Sequence, residues 1–298
     1  MKSSSSIYWF RQDLRLSDNP AFTAACDAGN VLPIYILDDD NAGPDCMGSA
    51  SRWWLHQSLN ALSSALDGKL YLFKGNPLKI IPALVNSIEA TTVCWNRCYE
   101  PWRIARDTAL KAQLERSGID VQSRNGSLLW EPWDIKKGDG TPYKVFTPFY
   151  QKGCLGAHPP RPPVAKPATI RWYQGVKHSI SIEKLGLLPE KPWSQSIERS
   201  WQISEKGAHE QLNAFLEIGL PYYKGGRDYP SKPYPSRLSP YLHFGQISPH
   251  QIWEKIGTQE PNEHTAHFCS ELGWREFSYN LLFHNPNIPR KNIQSKFN

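Results

Sequence analysis

Short apolar runs alternate with longer amphipathic stretches through the first part of the chain. Ile7–Phe10, Val31–Leu37, Leu70–Phe73, Thr91–Trp95 and Ile119–Gln122 are too short for helices and rich in strand-forming residues. Between them, Trp54, Leu55, Leu59, Leu62 and Leu66 recur at helical spacing and predict a helix over Ser49–Leu66, with further helical stretches near Pro77–Ser87 and Glu100–Arg116. Asp18 or Asn19 can cap the first helix, with Pro20 in its first turn. Strands and helices alternating in this way predict βαβ units. Residues 1–128 are therefore expected to form a doubly wound α/β domain, its parallel sheet covered on both faces. The run carries neither the G-x-G-x-x-G dinucleotide fingerprint nor a P-loop.

The pattern then breaks. Residues 129–205 are proline-dense, with Pro159, Pro160, Pro162 and Pro163 close together, and read as a connector between domains. Its one compact aromatic cluster runs from Lys144 to Phe149. From residue 206 to 298 the periodicity is helical: Leu212, Phe215 and Leu216 mark a helix over Ala208–Ile218, and Ser248–Pro249 opens one that runs through Ile256. A longer helix spans Glu263–Phe283. This second part is expected to be all-α, and incomplete.

Composition adds a direction. Twelve Trp, 13 Tyr and 11 Phe suit a protein that stacks flat ligands or bases, and equally an aromatic core. A net charge of +6 is compatible with a polyanionic partner. The six cysteines follow no zinc or redox spacing, so no metal site is expected and the thiols read as reduced. The start holds no run long enough for a signal peptide or a membrane span. A monomeric cytoplasmic protein is the expectation.

Two polar patches carry candidate chemistry. Ser236, Arg237 and Ser239 stand where Ser239 and Pro240 open a helix, a place that favours an anion; an ordinary cap with an exposed Arg has the same sequence. Glu271, Trp274 and Arg275 fall at i, i+3 and i+4, hence on one helical face. They read as a pocket wall offering a ring and an acid, or as a surface Glu–Arg pair beside a half-buried Trp.

The motifs, taken in order, resemble the photolyase and cryptochrome family, and are most similar to bacterial class I cyclobutane pyrimidine dimer photolyases. They are Trp9-Phe10-Arg11-Gln12-Asp13-Leu14-Arg15-Leu16-Ser17-Asp18-Asn19, Tyr99-Glu100-Pro101-Trp102, Val145-Phe146-Thr147-Pro148-Phe149, Arg227-Asp228-Tyr229-Pro230, Ser236-Arg237-Leu238-Ser239-Pro240-Tyr241-Leu242 and Glu271-Leu272-Gly273-Trp274-Arg275-Glu276-Phe277.

The resemblance implies light-driven splitting of pyrimidine dimers in DNA by an electron from reduced FAD. It implies FAD contacts from Tyr223, Pro235, Ser236, Arg237, Leu238, Ser239, Phe268, Glu271 and Arg275. It implies DNA contacts from Arg227, Glu271 and Trp274, with Trp274 stacking on the flipped lesion and Glu271 hydrogen-bonding it as the catalytic pair. Pro235 stands where relatives often have Thr, and Phe268 where some have Trp. An antenna chromophore is left unidentified: Arg103 and Pro289 depart from the folate-using pattern, while Arg52 fits a deazaflavin user and His243 does not. The family's chains continue past the position of Asn298, so this sequence is expected to be a fragment that binds FAD poorly. A cryptochrome-type photoreceptor and a non-catalytic DNA- or chromophore-binding module are the competing expectations.

Overall fold

The structure, a computed structural model, describes residues 4–176, 178–294 and 296. Met1–Ser3 of the serine-rich start, and Ser295, Phe297 and Asn298 at the end of the expected helical part, lie outside the described residues. β1 (Ser5–Phe10), β2 (Asn30–Leu37), β3 (Tyr71–Lys74), β4 (Thr92–Asn96) and β5 (Asp120–Arg124) form one five-stranded sheet in the order β3-β2-β1-β4-β5. Every pairing is parallel. Each expected run is a strand, displaced by a residue or two at its ends.

Strand β1 is buried along its whole length, which is why it reads as a continuous apolar run rather than an alternation. Its side chains still alternate between faces. Ile7 and Trp9 pack with Ile81, Val85 and Leu110 of the helices α4 (Pro77–Ile88) and α5 (Pro101–Arg116). Tyr8 and Phe10 face the opposite core with Phe22 and Leu59 of α1 (Pro20–Ala28) and α3 (Ser49–Ala65); the four-residue α2 (Asp39–Ala42) follows β2. The sheet is doubly wound. Asn19 caps α1, its side chain accepting from the Phe22 amide at 3.1 Å.

The connector is not a loose strap. α6 (Phe146–Pro148) leads into a π-helical turn over Phe149–Cys154. The chain then returns to the sheet, with Trp172 bridging Val31 and Ile180 bridging Leu72, before α7 (Gln195–Glu198). Next come α8 (Glu205–Ala214), α9 (Tyr223–Gly226), α10 (Ser239–Phe244), α11 (Pro249–Gly257) and α12 (Glu263–His284). The expected helix over Ala208–Ile218 is corrected at both ends. Ser204 caps it earlier, and beyond Ala214 the chain rewinds into a π turn over Phe215–Gly219. There a Cβ on Gly219 would stand 2.8 Å from the Tyr234 carbonyl oxygen, so the returning chain packs directly on backbone.

The sheet and the helices share one core. The Trp54 indole of α3 donates to Gln246 Oε1 at 2.9 Å and stacks near Phe244, with Tyr241 and Trp201 against its edges. Polar contacts complete the junction. Arg15 donates to the carbonyls of Gly126 (2.6 Å), Asp18 (2.7 Å) and Gly245 (3.0 Å), while the buried Asp18 carboxylate accepts from Arg161, the Val164 amide and the Ser248 hydroxyl. Gly245, at φ 68°, closes α10 where a Cβ would stand 2.0 Å from the Gln12 carbonyl oxygen.

Candidate functional site

A cleft of about 430 Å³ is lined by α9, by the stretch from Ser236 to His243 and by α12. Tyr223 and Phe268 form its aromatic floor with Phe215 behind them, Tyr223 meeting Phe268 edge-on at 5.1 Å. Burial raises the Tyr223 hydroxyl above its ordinary pKa. Ser236, Leu238 and Ser239 form the facing wall. No side chain of the capping residue Leu238 bonds into α10; the Leu238 amide donates to Ser236 Oγ at 3.4 Å, and Pro240 has no amide hydrogen to offer.

Charge is gathered at the α12 wall. Arg227 and Glu271 form an ion pair, a third of the arginine side chain being exposed. The hydrogen bond to Glu271 is the chief reason that the arginine's pKa is raised. His267, one turn before Glu271, lies 3.3 Å from Arg227 and 3.8 Å from Glu271. Arg275, one turn after it, donates to the Ser127 carbonyl at 2.7 Å and to Glu276 at 3.0 Å, its guanidinium over Tyr279. Glu276 itself is buried and also accepts from the amides of Leu129 and Trp130. Burial outweighs those donors and pushes its carboxyl up to about 7.

The expected residues do not all meet. Tyr223, Arg227, Ser236, Leu238, Ser239, Phe268, Glu271 and Arg275 line this one cleft. Pro235 and Arg237 do not; they border a separate groove with Phe215 and Ile218. The reason is local: Arg237 sits at φ 55°, which reverses the chain and turns its guanidinium over Trp201 and onto the Ser200 carbonyl at 2.9 Å. The single pocket wall expected of Glu271, Trp274 and Arg275 is likewise corrected, since Trp274 does not line the cleft. Trp274 and Arg275 are adjacent and diverge by about 100° around the helix. Arg275 turns to the cleft, whereas the indole turns to the connector and stacks on Phe146. Leu242, His243, Leu272 and Tyr279 also line the cleft and were not among the expected contacts. Tyr279 continues the four-residue spacing from Glu271 through Arg275, a signal present in the sequence.

A second cleft, of about 420 Å³, opens at the carboxyl ends of β1 and β2, the usual place for ligands in an open α/β sheet. Arg103, His243 and Pro289 line it, while Arg52 pairs with Asp39 at 2.9 Å and does not. His243 borders both clefts.

The sequence comparisons agree with this architecture. The chain is 40% identical to a deoxyribodipyrimidine photo-lyase of Agrobacterium fabrum, a match covering all of this chain and 63% of the relative. It is 36% identical to Cryptochrome-2 of Arabidopsis thaliana over 94% of this chain and 49% of that one. A solved structure described as a bacterial class III photolyase from Agrobacterium tumefaciens superimposes with a TM-score of 0.93 at 39% identity, covering the whole of this chain and 62% of its own. The motifs resemble those of class I members, whereas this neighbour is described as class III. The chain thus spans less than two thirds of these relatives' lengths. Residues 6–168, more than half of the sequence, match the family described as DNA photolyase, and the chain belongs to that family.

Proposed function

We propose that this chain is the antenna-domain and partial flavin-domain portion of an enzyme that splits cyclobutane pyrimidine dimers in DNA under blue light. In this reading residues 1–128 are the antenna-binding domain, 129–205 the connector and 206–298 the first part of the FAD-binding domain. The observation that carries it is the Arg227–Glu271 pair in a cleft that is also lined by two serines, Ser236 and Ser239.

The residues fit FAD as far as they go. The Ser236 and Ser239 hydroxyls at the start of α10 suit phosphate oxygens, and Tyr223 and Phe268 suit a flat ring system. When bound, flavin supplies photo-excited single-electron donation. The chain's own groups hold the lesion. Glu271 accepts from a pyrimidine N3–H at the cleft mouth, and Arg227 offsets its charge, so negative charge gained by the lesion does not face a bare carboxylate. Arg275, fixed by Ser127 and Glu276, lines the same cleft as a further cation. Extrusion of the lesion is eased because a dimer already pairs and stacks badly.

The described lining residues all come from α9, α10 with its approach, and α12, so these 298 residues alone are expected to hold FAD weakly. Absorbance of the purified chain tests this; stoichiometric bound flavin contradicts it. The activity is tested with excess reduced FAD and dimer-containing oligothymidylate under blue light. Light-dependent recovery of pyrimidine absorbance supports repair. Lesion binding with no light-dependent recovery favours the non-catalytic module, and a light response without lesion preference favours a photoreceptor, the reading that the cryptochrome similarity keeps open. A flat chromophore in the second cleft, beside Arg103 and His243, is the proposed antenna arrangement; its identity is left open.

A further inference from the structure

The Phe146 ring of the connector lies parallel to the Trp274 indole, with centroids 3.7 Å apart and planes at 10°. One turn on, Tyr150 lies parallel to Phe146 at 5.6 Å and 8°. The three rings form a ladder running from the surface, where Trp274 is 45% exposed, to the core, where Tyr150 is 5% exposed. Its inner rung is held by Gly273: a Cβ there would come within 2.4 Å of the Tyr150 ring. Phe277 meets Phe146 and Trp274 edge-on, each at 5.9 Å.

An exposed indole on a helix ordinarily samples several rotamers, and a ligand stacking on it must first stop that motion. Here one indole face is covered and one edge is blocked. Only the face opposite Phe146 is left for another flat ring. We propose that Phe146 is a positioning residue that holds Trp274 as a pre-set platform, on whose far face an unpaired pyrimidine stacks. This rests on the reading of Trp274 as the lesion's stacking partner. Stacking on an aromatic is tolerant of sequence, so the platform adds affinity for an extruded base without specifying which one.

The test uses the 298-residue chain and short oligothymidylates with and without a single thymine dimer, the readout being the ratio of the two dissociation constants. Phe146→Leu is expected to reduce that preference about fivefold, Phe146→Tyr to restore it to within about twofold, and Trp274→Leu to remove it. If Trp274→Leu removes the preference and Phe146→Leu leaves or raises it, the platform is overturned while the lesion reading stands. If the wild-type chain shows no preference, or Trp274→Leu keeps it, the lesion reading fails and the platform falls with it. A second readout follows the indole directly. In chain labelled with 5-fluorotryptophan, the fluorine line assigned by Trp274→Phe is expected to be sharp, and to broaden or split in Phe146→Leu. An unchanged line overturns the proposal whatever the binding shows.

Discussion

The sheet half of the molecule and the cleft half treat charge in opposite ways. At the sheet, Arg106 and Asp38 are paired at 2.9 Å with 3% and 4% of their side chains exposed, and Arg106 lies over both Trp9 and Trp102. At the cleft, Arg227 and Glu271 keep 33% and 26% of theirs exposed. The sheet pair borders the second cleft but is held out of water by its own contacts, and losing one member leaves the other buried without its counter-charge. A pair at a cleft mouth costs little to open and is free to exchange partners. The first kind holds the fold; the second is where chemistry is to be expected.

Mutation can break that contrast. Arg106→Met, which leaves the buried Asp38 carboxylate with Asn41 but no counter-charge, is expected to cost about 3–5 kcal/mol in chemical denaturation. A loss no larger than that of a surface pair removes the distinction. Next comes Glu276, buried between the halves. With its carboxyl at about 7, the folded chain keeps a proton that the unfolded chain releases near 4.5, so this group's contribution to stability is full below 4.5 and is lost as pH rises through about 7. Glu276→Gln should flatten that fall, by roughly 1–3 kcal/mol over the range, in melts taken from pH 5 to 8. Gly273→Ala drives a methyl against Tyr150 and is expected to destabilise by about 1–2 kcal/mol despite the gain in helix propensity. Glu271→Gln should cost no more than about 1 kcal/mol of stability, yet lose most of the preference for dimer-containing DNA. Last, Lys224→Ala, which removes an exposed partner of Glu263, should leave both melting and binding unchanged.

The same division explains what could be read from the residues alone. Strands such as Val31–Leu37 are buried on both faces, so their identity is written in consecutive apolar residues. Ser248–Pro249 and Asn19–Pro20 are local signals, and both helices begin there. The cleft depends on facts that are not local. Arg237 leaves the wall because of one left-handed backbone angle, and Trp274 turns to a phenylalanine more than a hundred positions earlier. Neither residue type nor spacing encodes such a choice. The buried charges of the first loop were legible only as a motif. Asp18 is fully enclosed although it reads as a helix cap, because its partners lie in the connector and at the cap of α11.

The tie between that loop and the end of α10 has a bearing on synthesis. Arg15 emerges from the ribosome long before Gly245, the residue that it finally contacts, 230 positions later in the chain. At ordinary elongation rates that is a delay of roughly 10–50 s. Once Arg124 has emerged the sheet has all five strands, while Arg15 and Asp18 stay hydrated and without their last partners for the second half of that delay. The nascent protein therefore carries an open seam beside its first strand until α10 and the residue that closes it are made.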